Sequence, residues 1–174
     1  MALTAGNVVV GISGTVYAAA TSASAPTTAS SALTGFTDLG YIHSDGVTIT
    51  PSRNTAQIRA WQNADLVREV VTESDLTYKF VMLEMTAAVA TQYFGSAPAS
   101  NKVTWSPGAT GGKQSFVIDM VDGSKIVRHY IPVGEVMKIE PLNVKNGEAL
   151  SFGVTISAYV TSGRAADVFF SAIS

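Results

Sequence analysis

Cysteine is absent from the 174-residue chain, which removes disulfides, thiolate metal sites and a cysteine nucleophile together. Charge is scarce as well. Asp, Glu, Lys and Arg make up 14% of the residues, against about 25% in ordinary soluble domains. A small monomer normally needs more charge to cover its surface, so part of this surface is expected to be buried against partners. The 11 basic and 13 acidic residues give a formal charge of −2, and without a basic excess there is no electrostatic footprint for gripping phosphates. No apolar run approaches the ~20 residues of a membrane span. The opening MALTAGNVVVG has no basic leader before its apolar stretch, which argues against a signal peptide.

What is present is alternation. At this length the chain suits one domain, residues 1–174, with a core that needs no staples. NVVVGISGTVYAA places Val8, Val10, Ile12, Gly14 and Val16 on one side of a period-2 pattern. A low-complexity Ala/Ser/Thr run follows, and residues 18–34 read as a flexible arm with almost nothing to bury. GVTIT is a short strand expected to stop at Pro51. The polar residues after it, about 50–66, read as a long loop between strands. In DLTYKFVMLE, Leu76, Tyr78, Phe80 and Met82 face one way, a clear strand signal. TAAVATQYFG changes period: Ala87, Ala90 and Phe94 recur at helical spacing, Thr86 is placed to cap and Gly95 to terminate. Asp122-Gly123 and Asn146-Gly147 mark hairpin turns. After the second, Leu150, Phe152, Val154, Ile156, Ala158 and Val160 alternate with small polar residues, and ADVFFSAI forms a last strand. The sum is a mainly β domain with one short α-helix, a β-sandwich or partly closed barrel flanked by that helix.

Catalytic and metal-binding patterns are weak. Only His43 and His129 could act as bases. His129 lies within KIVRHYIP, where a strand histidine is the plainer reading. His43-Ser44-Asp45 is too compact for a triad, which needs convergence from separate elements, and reads as a turn. Asp119 and Asp122 flank a hairpin without the repeated oxygen ligands of a calcium loop. GISG and GATGG open no helix, so neither is a phosphate cradle. Glu69, Glu73 and Asp75 form the densest acidic cluster; on a strand their even spacing puts all three on one side, facing solvent or a lumen. No pattern calls for a metal or any other cofactor, and the chain is not read as an enzyme.

The stretch IRAWQNADLVREV sets Trp61 between Arg59 and Gln62, with Arg53 and Arg68 nearby. Base stacking and charge in single-strand binding use such residues. Trp and Arg are also the types enriched where proteins grip one another.

Residues 38–95, DLGYIHSDGVTITPSRNTAQIRAWQNADLVREVVTESDLTYKFVMLEMTAAVATQYFG, resemble the major tail tube proteins of long, non-contractile-tailed bacteriophages, most of all those infecting actinobacteria. IPVGEV and LNVKNGEALSFGVTISAY extend the resemblance to about three quarters of the chain, leaving out the Ala/Ser/Thr-rich run. No single motif is diagnostic; their order carries the likeness. The resemblance implies a tube-type β-sandwich or barrel and six subunits closing a ring, with strands contributed to a continuous inner barrel. Rings then stack around a tape-measure protein, and DNA later passes through the lumen without specific binding. It further implies contacts with tail terminator and distal-tail or baseplate proteins, assembly in the host cytoplasm and residence in the virion. The immunoglobulin-like domain that some relatives append at the C-terminus is not expected after ADVFFSAIS. Arg59, Trp61, Gln62 and Arg68 are then expected at a subunit or inter-ring interface, and Glu69, Glu73 and Asp75 along the lumen. The competing expectation is a related ring-forming component, a tail terminator or distal tail protein; a small β hydrolase stands further off.

Overall fold

Alternating apolar residues build most of the architecture in the computed structural model, which describes residues 7–171. Along the chain come β1 (Ser13–Ala20), β2 (Thr37–Asp38), β3 (Thr48–Arg59), β4 (Leu66–Met82), α1 (Ala87–Phe94), β5 (Gln114–Asp122), β6 (Lys125–Ile139), β7 (Phe152–Ala158) and β8 (Asp167–Phe170). All strands pair antiparallel in one sheet ordered β2-β1-β5-β6-β7-β4-β3, with β8 added against β6. The fold is therefore mainly β with one short helix. Ile42 bridges to Met82 and draws the two halves together, but the sheet is not closed into a barrel.

The core sits between those halves. Val16, Phe116, Ile118 and Ile131 from one half meet Tyr78, Phe80, Met82, Phe152, Val154 and Ile156 from the other. The alternation read in β4 and β7 is thus the core face. Thr86 Oγ1 accepts the Val89 N–H at 3.2 Å at the start of α1, and Gly95 ends the helix at φ 68°. The buried face of α1 keeps Ala90 of the expected set, with the half-buried Phe94 packed against the core, but not Ala87. It consists of Val89, Ala90, Gln92 and Tyr93, while Ala87 is exposed. Gln92 is accepted inside because its Nε2 donates to Gln114 Oε1 at 2.9 Å.

Three expectations need correction. The first strand begins at Ser13, and Val8, Val10 and Ile12 are exposed. Its partner β5 ends at Asp122, one residue past the Ser13–Val121 pair, so the ladder gives way there to single bonds: the Ile12 N–H donates to the Val121 carbonyl at 3.2 Å and the Val10 N–H to the Asp122 carboxylate at 3.0 Å. The 18–34 segment is not a loose arm. Ala29 is buried, and Arg128 Nη1 donates to Ser31 O at 2.7 Å and Thr28 O at 3.3 Å. Low complexity hid that anchorage because the holding residue lies about a hundred positions away. The 50–66 stretch is no long loop either. β3 runs on through Pro51 to Arg59 and pairs with β4, leaving only residues 60–65 as a turn. Pro51 does not stop the strand because β3 is the outermost strand on its side of the sheet, where a missing N–H is tolerated.

Candidate assembly surface

β7 pairs with β4 only from Leu76 to Met82. Below Leu76, β4 has β3 and nothing else, so Ser52–Arg59 and Leu66–Asp75 project as a two-stranded ribbon. Both of its faces are open to solvent almost without interruption from residue 51 to residue 75. Two-stranded hairpins are marginal in water. This one is continuous with a strand anchored in the core by Tyr78, Phe80 and Met82, and it is tied by its own side chains. Asn54 Nδ2 donates to Glu73 at 2.7 Å, Thr55 Oγ1 to Glu69 at 2.7 Å and Thr72 Oγ1 to the Asn54 carbonyl at 3.1 Å.

The register decides which residues share a face. Asn54 opposes Glu73, yet Thr55 opposes Val71, which leaves Thr72 as a bulge; Ile58 opposes Arg68 and Arg59 opposes Leu66, which leaves Val67 as a second. Opposed residues share a face, whereas successive residues on regular β3 alternate. Glu73 and Asp75 therefore share the face of Asn54 and Ser52, while Glu69 lies with Thr55 and Gln57 on the other. This corrects the expected one-sided acidic triplet: the Thr72 bulge changes the parity between Val71 and Glu73. Arg68 opposes Ile58, the residue before Arg59 on β3, so the two arginines are on opposite faces.

At the tip Trp61 is 99% exposed, with Gln62 beside it in the turn. Asn63 and Ala64 both adopt positive φ, 57° and 55°, which closes the turn so that Ala60 N–H donates to the Asp65 carbonyl at 2.9 Å. Arg59 braces this turn through Nη1 to the Ala64 carbonyl at 3.1 Å and Nη2 to Gln57 at 2.8 Å. Arg68 has no hydrogen-bond or ion-pair partner among the described residues. The sequence reading singled out Trp61 but missed Ile58, Leu66, Val67 and Val71, all exposed on the same ribbon. The signal was there: large apolar residues in a stretch with no helical period and nowhere to be buried.

The histidines stay outside any catalytic arrangement. His43 Nδ1 lies 3.2 Å from Asp45 Oδ2, and Gly46 N–H donates to the His43 carbonyl at 2.9 Å, which is the turn that HSDG predicts. His129 Nδ1 stands 3.3 Å from the Tyr78 hydroxyl. Burial lowers the His129 pKa and pushes that of Tyr78 up to about 12, so the phenol remains protonated. Among the described residues no group of three His, Asp or Glu side chains is placed to hold a metal ion, and no helix is long and apolar enough to cross a membrane.

The described residues form an antiparallel sheet that carries a bare, apolar-tipped ribbon. The chain belongs to the phage tail tube protein family: that family's model matches residues 1–170. A comparison with curated proteins finds no match. The family is structural and not one of enzymes. It places the chain in the virion, as a component that assembles into a tube with other tail proteins.

Proposed function

We propose that this chain is the repeating subunit of the tube of a long, non-contractile phage tail, closing into hexameric rings that stack, with a lumen that conducts DNA from capsid to host without specific binding. The observation that carries the reading is the β3–β4 ribbon, exposed on both faces and tipped by Trp61. A monomer gains nothing from projecting such an element; a neighbouring copy that covers it does. Ring closure and stacking both need heterologous contacts, in which one surface meets a different surface on the next copy. Trp61, with Gln62 at the tip and Arg59 and Arg68 on either face, is the grip of that contact. The face bearing Glu73 and Asp75 is turned to the lumen, where carboxylates repel phosphate weakly and evenly; Glu69, on the opposite face, is not. Assembly in the host cytoplasm on a tape-measure protein, between distal-tail or baseplate and terminator proteins, belongs to the same reading, as does an actinobacterial host.

Negative-stain microscopy of the purified protein tests it. Hollow tubes of stacked rings are expected. Single rings that refuse to stack would point to a terminator or distal-tail role, and protein that stays monomeric at high concentration would overturn the proposal. Trp61→Ala should fold normally yet form no tubes, because a buried central aromatic of this kind is worth about 2 kcal/mol or more at an interface. Normal tubes from that variant would remove the ribbon from the contact.

A further inference from the structure

A cleft of about 760 Å³ opens between the start of β1 and the connection from β2 to β3, within the roughly 300–1,000 Å³ that accommodates a ligand-sized group. Its apolar rim carries Ile12, 71% exposed, and Tyr41, 77% exposed, and Met120 also lines it. Beside His43 and the Ser and Thr hydroxyls, its charged side chains are all acidic. Asp38, Asp45, Glu84 and Asp119 line it, and no Lys or Arg does. Asp119 is satisfied by Arg128, which leaves three carboxylates to face the opening. Asp38 Oδ1 accepts the Gly40 N–H at 2.8 Å and Glu84 Oε1 the Tyr41 N–H at 3.0 Å. The second oxygen of each has no hydrogen-bond partner among the described residues. The Asp45 side chain is 85% exposed, with only His43 beside it.

The tip of the ribbon is the complement of this cleft. It offers a bare indole, Trp61, and two cations, Arg59 and the unpartnered Arg68. The chain's own tip cannot reach the cleft. His43 and Tyr41 bond to the backbone at Val81 and Leu83, at the rooted end of β4, while the tip lies at the far end of the ladder. β3 has 12 residues between the two, about 40 Å at ~3.3 Å per residue. Donor and acceptor at opposite ends of one element are what a head-to-tail stack requires. Resting on the ribbon reading above, we infer that the cleft receives the ribbon tip of a second copy, with Trp61 against Ile12, Tyr41 and Met120 and the tip arginines on Asp38, Asp45 and Glu84.

The cysteine-free sequence gives a clean test. Gln62→Cys combined with Ser44→Cys puts one thiol on the tip and one in the cleft. A disulfide forms only where Cα atoms come within about 7 Å, so mild oxidation of assembled protein should give a ladder of covalent multimers on a non-reducing gel. Gln62→Cys combined with Lys145→Cys should give none. Charge exchange provides a second measurement: Arg68→Glu or Asp45→Lys alone should raise the concentration needed for assembly about tenfold, a factor set by loss of one well-placed contact, and the pair together should restore most of it. Tubes that form without the Gln62–Ser44 ladder, or no recovery in the paired variant, would overturn the cleft assignment. Trp61→Ala separates the two readings. If it blocks assembly while the ladder is missing, the ribbon contact stands and only its acceptor is wrong; if it assembles normally, the ribbon contact itself falls.

Discussion

Arg128 and Asp119 oppose each other directly on β6 and β5, and both are nearly buried, at 5% and 8% exposure. The guanidinium forks onto the carboxylate through Nε and Nη2, both at 2.7 Å, and its remaining nitrogen holds the 18–34 segment at Ser31 and Thr28. Arg128→Met removes the positive partner and keeps the length of the stem. Breaking a buried pair from one side leaves an uncompensated charge and costs about 3–5 kcal/mol. The freed carbonyls add less than the ~1–3 kcal/mol of a stranded buried acceptor, because the segment can swing toward water. A loss of about 4 kcal/mol is therefore expected, a large fraction of a typical total of about 5–15 kcal/mol. Urea denaturation is the assay, made in a Trp61→Ala background so that mass action from assembly does not contribute. With slopes of about 1–3 kcal/mol/M for small proteins, the midpoint should fall by more than about 1 M. The released 18–34 segment should also become sensitive to a protease that cuts after small residues. Arg128→Met with Asp119→Leu should recover most of the loss, since apolar replacement of both partners is often neutral. A single-variant loss below about 1 kcal/mol, or a double variant no better than the single, would refute the reasoning.

His129 predicts a pH dependence. Burial lowers its folded pKa, so between that value and the ordinary ~6.5 of the unfolded chain the unfolded state binds more protons, and stability falls as pH drops. His129→Gln should flatten that slope in urea midpoints taken from about pH 5 to 8; an unchanged slope would assign the effect elsewhere. Gly134→Ala would bring a Cβ to 2.9 Å from Ile156 Cγ2 and 3.1 Å from Phe116 Cδ2, an overpacking that costs about 1–3 kcal/mol, and a loss under about 0.5 kcal/mol by the same assay would contradict it. Deleting Thr72 leaves every other β3–β4 pair in place but removes a bulge that bends and twists the ribbon. The variant should match the parent in circular dichroism and yield no tubes under the microscope, whereas parent-like tubes would show that the aim of the ribbon does not matter.

The body of the fold was legible because its signals are local. Phe152, Val154 and Ile156 alternate on the core face, and Thr86 and Gly95 mark α1 with residue types that cap and terminate helices. What escaped the sequence depends on partners far along the chain. Pro51 reads as a stop until β3 is known to be an outer strand. The Ala/Ser/Thr run reads as loose until Arg128 is seen to hold it. The acidic triplet reads as one-sided because a bulge leaves no mark in side-chain spacing: Thr72 looks like any strand residue. The candidate site was half legible. Trp61 and its arginines stand out in composition, but the cleft is assembled from residues 11–16, 38, 40–47, 84 and 119–120, which no sequence pattern joins.

The outer edge of β3 bears on how the ribbon is recognised. An unpaired strand edge is a template for main-chain pairing with any other chain, and proteins blunt such edges with proline and charge. β3 carries both, in Pro51, Arg53 and Arg59. Edge-to-edge addition along it is thereby discouraged, and in the contact we propose the grip passes to side chains: the exposed apolar set Ile58, Trp61, Leu66, Val67 and Val71, with arginines on either face. Main-chain pairing would accept a partner in several registers. Side-chain contact at a single tryptophan accepts one pocket of matching shape and charge, so the spacing between successive copies is fixed by where that pocket lies on the next subunit. For a tube whose subunits must repeat without drift, the contact we propose would keep the assembly open-ended and its period constant.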